Sequence, residues 1–278
     1  MSHDTNRETQ KFSLSLFVIT ITLTLIGLFS ALYLASPAVW GIQIKASIIS
    51  VCAVGLTIHL VGAFVEFFFH RYVLHAPVIP FLSYFYRQHT HHHSLTRVTM
   101  KRVSGIVENY YPILEEKQHE ASFFPWYSLL VFAGLATPFF VVLQWLYPHM
   151  PIFLGGYCGI SLSMLLYEIL HALEHVDVER WKPLLGHPRF GSFWKVLYGF
   201  HLRHHASIGS NESISGFFGF PLPDILFGTY VNPNSLYEHG RRGDPTDFIA
   251  PKPRFFIRWF DHLAELSVRR ARDKRAVT

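Results

Sequence analysis

The chain has 278 residues, of which 50% are hydrophobic and only 15% are charged. Soluble domains carry about a quarter charged residues, so we expect much of this surface to face something other than water. Cys52 and Cys158 lie in long apolar runs, which excludes a disulfide framework and a cysteine-based zinc motif. The net charge of +5 comes without a glycine-rich phosphate loop, an RNA-binding aromatic motif or zinc-finger spacing, and we expect no nucleic-acid partner.

Four apolar stretches are long enough to cross a bilayer, because a helix needs about 20 apolar residues to span the hydrocarbon core. They occupy residues 12–35, 46–69, 123–146 and 152–171. The links 36–45 and 147–151 are short, so each pair of spans is predicted to form a helical hairpin. The sequence therefore predicts an all-α, multi-pass membrane protein with a single domain over residues 1–278. The alternative is a soluble protein in which two of these stretches are buried helices.

The distribution of basic residues predicts the orientation of the hairpins. Of the 24 lysines and arginines, only Lys45 lies at a hairpin tip. By the positive-inside rule, the remaining segments face the cytosol. Residues 70–122 and 172–278 are thus predicted to form a cytosolic, helical catalytic cap, at a bacterial inner membrane or at the endoplasmic reticulum.

Histidines form four blocks, in the order pair, triplet, pair, triplet. The first pair follows the second span, and the second pair closes the fourth. The blocks are His70 and His75; His89, His92 and His93; His171 and His175; and His201, His204 and His205. Residues three or four apart share a helix face, so the second pair and each triplet point one way. The first pair is five apart, which requires a local unwinding or a helix end between its members.

These ten histidines predict a metal site. Ten neutral imidazoles that converge without metal would leave ring donors and acceptors unsatisfied, and protonating several would bring like charges together. Iron and zinc both accept imidazole readily. Ten ligands exceed the four of a structural zinc, so the set suits two ions with open positions. His91, on the far side of its triplet, is not expected to be a ligand, and His59 is expected to serve in packing.

Two glutamates lie one turn before histidines of the pairs. Glu66 precedes His70 and Glu168 precedes His171, on the same helix faces. We predict that their carboxylates orient ring N–H groups and do not bind the metal themselves.

The C-terminal residues 255–270 place apolar side chains at near-helical spacing. These are Phe256, Trp259, Phe260, Leu263 and Leu266, and they are accompanied by arginines. The pattern is typical of a basic amphipathic helix that lies on a membrane surface. Packing against the cytosolic cap is an equally good interpretation.

The four blocks, in this order and after these spans, resemble the fatty acid hydroxylase/sterol desaturase superfamily. Residues 66–75, Glu-Phe-Phe-Phe-His-Arg-Tyr-Val-Leu-His, are similar to the first box of fatty acid 2-hydroxylases. Asn211 and residues 223–229, Pro-Asp-Ile-Leu-Phe-Gly-Thr, resemble the closing segment. The resemblance covers roughly residues 48–230, whereas residues 94–120 and the long loop 177–199 depart from the family pattern.

The resemblance implies two iron ions held by the ten histidines, with dioxygen as co-substrate; purified protein could carry zinc instead. It implies a hydroxylase of lipid biosynthesis that inserts hydroxyl into an unactivated C–H bond of a fatty acyl or related membrane lipid. No cytochrome b5 sequence is fused to this chain, so we expect a separate electron donor: cytochrome b5, a ferredoxin or a reductase. The alternatives are a lipid or sterol desaturase with the same site and, from another class, a membrane metal transporter or metal-binding protein.

Overall fold

The computed structural model describes residues 14–115, 117–118 and 122–277, and side chains up to residue 269. Residues 12 and 13 of the first predicted span lie outside the described residues. The helices are α1 (Leu14–Ala35), α2 (Pro37–Lys45), α3 (Ile48–Phe69), α4 (Ser83–Leu95), α5 (Ser128–Leu146), α6 (Ile152–Glu174), α7 (Val178–Leu185), α8 (Gly191–Ala206), α9 (Leu222–Phe227) and α10 (Phe255–Val277). A π-helical turn (His70–Leu74) continues α3, and 3₁₀ turns cover Pro80–Leu82 and Pro245–Phe248.

Among the described residues, four helices are long and apolar enough to cross a membrane. They are Ser15–Ala35, Ile48–Leu74, Ser128–Leu146 and Ile152–Glu174. By length and composition, the chain is that of a membrane protein, as the sequence predicted. The third helix begins at Ser128, later than the predicted residue 123, because Pro125 lies in the preceding loop and the backbone N–H of Phe124 donates to Glu168.

The fold is mostly helical, but the all-α prediction missed one pair of strands. Strands β1 (Val98–Met100) and β2 (Val107–Asn109) pair antiparallel, with Val98 opposite Asn109. The turn between them includes Gly105 at φ 69, a left-handed conformation that glycine adopts without steric cost. The predicted link between the first two spans is itself the helix α2, which begins at Pro37.

Helices α3 and α6 form the principal contact among the apolar helices. A Cβ atom added at Gly155 would lie 2.6 Å from the Cβ of Val54, so this approach requires glycine. Further along both helices, His59 Nδ1 lies 2.8 Å from Ser163 Oγ. The contacts advance in the same direction along α3 and α6, so the C-terminal ends of the two helices, each carrying a histidine pair, lie together.

A separate apolar core positions the second triplet. It joins the strand pair to α7 and α8 and consists of Val98, Val107, Tyr111, Trp181, Tyr198, Leu202 and Tyr237. Tyr198 and Leu202 belong to α8, which ends in the triplet. Burial of these apolar side chains therefore fixes the rotation of α8 about its axis.

The terminal helix α10 has one packed face and one exposed face. Ile257 is fully buried, and the ring of Phe260 lies 5.9 Å from that of Phe68 at the end of α3. Phe255 and Trp259 remain exposed. The helix thus packs against the end of a candidate span, while its other face is free to contact a membrane surface.

Candidate metal centre

The π-helical turn brings the first histidine pair onto one face. The backbone N–H of His75 donates to the carbonyl of His70 at 3.0 Å, five residues back. Such an i to i+5 bond widens one turn of the helix and is a recurring feature of functional sites. The predicted local unwinding is confirmed, and it takes the form of an inserted turn that continues the helix.

Nine of the ten predicted ligands assemble into two groups. Within each group, one ring nitrogen per residue lies within 4.8 Å of those of all the other members. The first group is His70, His75, His89, His93 and His204, and the second group is His92, His175, His201 and His205. These buried clusters could hold metal ions, as the sequence predicted.

Each triplet is divided between the two groups. His89 and His93 share a face of α4 and belong to the first group, whereas His92 belongs to the second. On α8 the division is reversed, since only His204 belongs to the first group. The two helices therefore lie across the space between the groups.

The tenth histidine, His171, lies beside the second group. Its ring centroid is 4.8 Å from those of His175 and His201. Both of its ring nitrogens are buried, and neither has a hydrogen-bond partner within the described part of the chain. His91 is exposed and outside both groups, as expected. His59 is buried between α3 and α6, beside Ser163 and far from both groups along α3.

Backbone carbonyls determine the tautomers of four rings. The Nδ1 atoms of these rings lie at hydrogen-bond distance from the carbonyls of Glu212, Tyr111, Ser210 and Thr96, for His70, His175, His204 and His205 respectively. A carbonyl only accepts, so each Nδ1 carries the proton, and each Nε2 presents a lone pair. Donation from the second nitrogen to a carbonyl is the usual arrangement of a metal-bound histidine.

These lone pairs converge where protons alone cannot satisfy them. His201 Nε2 lies 3.1 Å from His175 Nε2 and 3.0 Å from His205 Nε2. A proton on His201 could be donated to only one of these two acceptors. In the first group, His89 Nε2 lies 2.9 Å from His70 Nε2 and 3.0 Å from His93 Nε2. Cations among the rings would satisfy these lone pairs, so the residues fit two imidazole-bound ions.

Burial keeps these imidazoles neutral. Burial first, and then the neighbouring rings, hold the pKa of His92, His201 and His205 well below the usual value. Burial also lowers the pKa of His175 to about 3. Because a histidine must be neutral to bind a metal, ions do not have to displace protons from these rings at neutral pH.

The two glutamates do not act as the sequence predicted. Glu66 accepts hydrogen bonds from the backbone N–H of Ser215 at 2.8 Å and from its hydroxyl. Glu168 accepts from the backbone N–H of Phe124 at 2.8 Å. Among the described residues, neither carboxylate hydrogen-bonds a histidine. Both carboxylates instead hold loop backbone against the candidate spans, since Ser215 and Phe124 lie outside the helices.

A charged network that the sequence did not reveal surrounds His70. Arg71 donates from Nε and Nη2 to the two carboxylate oxygens of Asp261 on α10, each at 2.8 Å, and from Nη1 to Glu212 at 2.8 Å. The hydroxyl of Tyr72 also reaches Asp261, at 2.8 Å. The carbonyl of Glu212 in turn accepts from His70 Nδ1. The only sequence signal was an arginine next to a paired histidine.

A narrow cleft borders the first group. Its lining includes His89, the apolar side chains of Leu74, Phe85 and Phe124, and the polar side chain of Gln88. His75 and His93 are half-buried, whereas all four members of the second group are buried. The first group is therefore the more accessible one.

No family model, no curated protein and no solved structure matches the chain.

Proposed function

We propose that this protein is an integral membrane, oxygen-dependent di-iron hydroxylase that inserts hydroxyl into an unactivated C–H bond of a fatty acyl or related membrane lipid. The observation that carries the proposal is the pair of buried histidine groups at the joined ends of two apolar helices. Two bound iron ions would supply the activation of dioxygen and the oxidation of the C–H bond. Side chains of this protein would bind the ions, exclude water and admit the lipid.

The histidines would bind the two ions separately. The first ion would be held by the first group and the second ion by the second group, with His171 beside it. Carbonyl acceptors hold four of the rings in the tautomer that presents Nε2. Positioning of ligands before an ion arrives lowers the entropic cost of binding it.

The surrounding residues would exclude water and admit lipid. The second group is enclosed by the apolar core that contains Tyr111 and Tyr198. The cleft at His89 is lined by Phe85 and Phe124 and lies beside the end of α3, a candidate span. An acyl chain that leaves the bilayer there would meet the more accessible first group. Electrons would come from a separate cytosolic donor such as cytochrome b5, a ferredoxin or a reductase.

Comparative lipidomics tests the proposal. Cells that express the wild type, the double variant His171→Ala, His204→Ala, or the control His91→Ala are supplied with isotopically labelled dioxygen and a matching reductase. We expect one lipid class to gain a labelled oxygen atom in the wild type and the control, but not in the double variant. Loss of two hydrogen atoms without labelled oxygen would indicate a desaturase. Unchanged lipids in cells whose purified protein holds two irons would contradict both activities and favour metal handling.

A further inference from the structure

The segment that follows the last triplet runs along α3 in the direction of the candidate bilayer. It begins at the level of His70, whose Nδ1 donates to the carbonyl of Glu212. Three residues later, Ser215 lies at the level of Glu66, since its backbone N–H donates to that carboxylate. The segment therefore moves from the end of the span toward its middle.

The tip of the segment lies still further along α3. The rings of Phe217 and Phe218 lie 5.2 Å and 4.6 Å from that of His59. At about 1.5 Å per residue, the eleven positions between His70 and His59 correspond to about 16 Å along the helix. Half the thickness of a hydrocarbon core is about 15 Å. If α3 crosses the bilayer, the tip lies near its midplane.

The chain then returns to the level at which it started. The ring of Phe227, in α9, lies 4.9 Å from that of Phe67 and 5.6 Å from that of Phe68. Its carbonyl accepts from the backbone N–H of Arg254, and α10 follows directly. Residues 212–227 thus enter and leave at the same end of α3.

The turn of this hairpin is locally specified. Gly216 and Phe218 have φ values of 46° and 54°. A Cβ atom at Gly216 would collide with the carbonyl oxygen of Phe220, so no other residue fits there without a backbone shift. Phe218 also adopts the left-handed conformation, which is uncommon for residues other than glycine.

Several backbone groups of the hairpin, which hydrocarbon would leave without partners, have partners within the protein. Gly219 N–H donates to the Ser215 carbonyl, and Phe217 and Phe220 each donate to the carbonyl of the other. The carboxylate of Asp224 accepts from the backbone N–H groups of Glu212 and Ser213. Irregular backbone occurs at membrane depth only where such partners are supplied by the protein.

The outer surface of the hairpin is apolar. Phe218 is 52% exposed and Phe220 is 54% exposed, although both are large aromatic side chains. Ile225 and Leu226 are also exposed. Helix α3 also carries exposed apolar side chains, which include Leu56 and Val61.

We propose that residues 212–227 form a re-entrant hairpin that sits within the bilayer beside α3 and presents Phe218 and Phe220 to lipid acyl chains. The partner of this surface is the hydrocarbon of membrane lipids. The proposal changes the expected topology, because it removes these residues from the cytosolic cap. It requires only that α3 crosses the membrane and does not depend on the hydroxylase activity.

Spin labelling of the full chain in liposomes tests the depth of the hairpin. In a Cys52→Ser, Cys158→Ser background, a nitroxide is attached at Phe218→Cys. Power saturation then compares contact with oxygen, which enters hydrocarbon, and with a water-soluble nickel chelate. Leu56→Cys on α3, 45% exposed, is the lipid-facing reference, and Phe193→Cys on α8, 58% exposed, is the cap reference.

We expect the label at position 218 to give the same power-saturation result as the label at position 56. Oxygen should relax both labels, and the nickel chelate should relax neither. A second label at Phe220→Cys guards against a local failure of folding, and size-exclusion profiles identify any variant that misfolds. Nickel contact at both positions equal to that at position 193 would overturn the proposal. The measurement needs neither metal nor substrate, so its result is separate from any failure of the proposed activity.

Discussion

Both histidine groups use backbone carbonyls, but the first is also linked to a network of charged side chains, whereas the second is packed against an apolar core. Arg71, Glu212 and Asp261 connect His70 of the first group to the terminal helix α10. In the second group, His175 and His205 donate to the carbonyls of Tyr111 and Thr96. In addition to its carbonyl contacts, the first group is thus tied to a distant segment through ion pairs, whereas the contacts of His175 and His205 in the second group are neutral.

The difference in support matches a difference in access. The narrow cleft is lined in part by His89 of the first group, and two members of that group are half-buried. Every member of the second group is buried. We infer that the first ion meets the substrate and that the second is enclosed by protein. This assignment can be tested by changes that affect one group and leave the other intact.

Loss of a ligand should have the largest effect. His89→Ala removes a member of the first group and His92→Ala a member of the second, although both lie on α4. Each variant should lose one of two bound ions and all detectable lipid oxidation, because the proposed chemistry needs both. Metal analysis of purified protein and labelled-oxygen incorporation measure the two effects. The exposed His91→Ala should keep both ions, and equal loss of both ions from the two variants would contradict the division of the triplet.

Breaking the charged network should lower the affinity for the first ion only. Asp261→Asn removes the negative charge of a carboxylate that accepts two hydrogen bonds from the half-buried Arg71 guanidinium. Residues that orient ligands typically contribute 10- to 100-fold to metal affinity, so we expect a loss of about that size at one ion. Chelator competition measures the two affinities. Glu265→Gln is the matched control on the same helix. That carboxylate is exposed, and its ion pair with Arg269 is long, at 3.9 Å. An equal loss of affinity for both ions would contradict the conclusion that the two groups are held by different contacts.

Acid should destabilise the metal-free protein through its neutral histidines. The pKa of His175 is about 3 in the fold and 6.5 for an unperturbed histidine, so between these values the unfolded chain binds the extra proton. Stability is therefore full above pH 6.5 and falls as the pH drops toward 3. At about 1.4 kcal/mol per pH unit, His175 alone accounts for about 2 kcal/mol between pH 6.5 and 5.

Thermal unfolding of chelator-treated protein at these two pH values measures the change. His175→Gln should lose less stability on acidification than the wild type, because glutamine does not titrate. An identical loss in both proteins would show that His175 does not stay neutral in the fold.

The sequence was sufficient to predict the candidate spans and the nine histidines that cluster, because both depend on local patterns. Apolar length predicts a span, and histidines spaced by three or four predict a shared helix face. The first pair, His70 and His75, was harder, since a spacing of five fits a helix only with an inserted π turn. The pattern predicted some local unwinding but not its form.

The groups that support the ligands were not predictable, for two physical reasons. Carbonyl acceptors such as those of Tyr111 and Thr96 belong to every residue, so no residue type marks them. Arg71 and Asp261 are 190 positions apart, and only the folded chain brings them together. Glu66 misled the prediction because its helix face is shared with His70, whereas its carboxylate is used by Ser215 of the hairpin.

The smallest expected effect concerns the second group. The hydroxyl of Ser122 donates to the carbonyl of Gln118 and lies 2.8 Å from His92 Nδ1. The hydroxyl proton is therefore already used, so Ser122 accepts the Nδ1 proton and leaves Nε2 free to bind metal. Ser122→Ala removes one neutral hydrogen bond, worth about 1 kcal/mol, and should weaken the second ion by less than about tenfold.

Chelator competition on Ser122→Ala, with the exposed Ser94→Ala as its control on α4, completes the comparison of the two groups. Affinity for the second ion should fall and affinity for the first should not change. This is the reverse of the result expected for Asp261→Asn. Weakening of the first ion instead would mean that α4 transmits a local change to both groups through His89 and His92. The two groups would then be one coupled unit, and the different contacts that hold them would not act on the two ions independently.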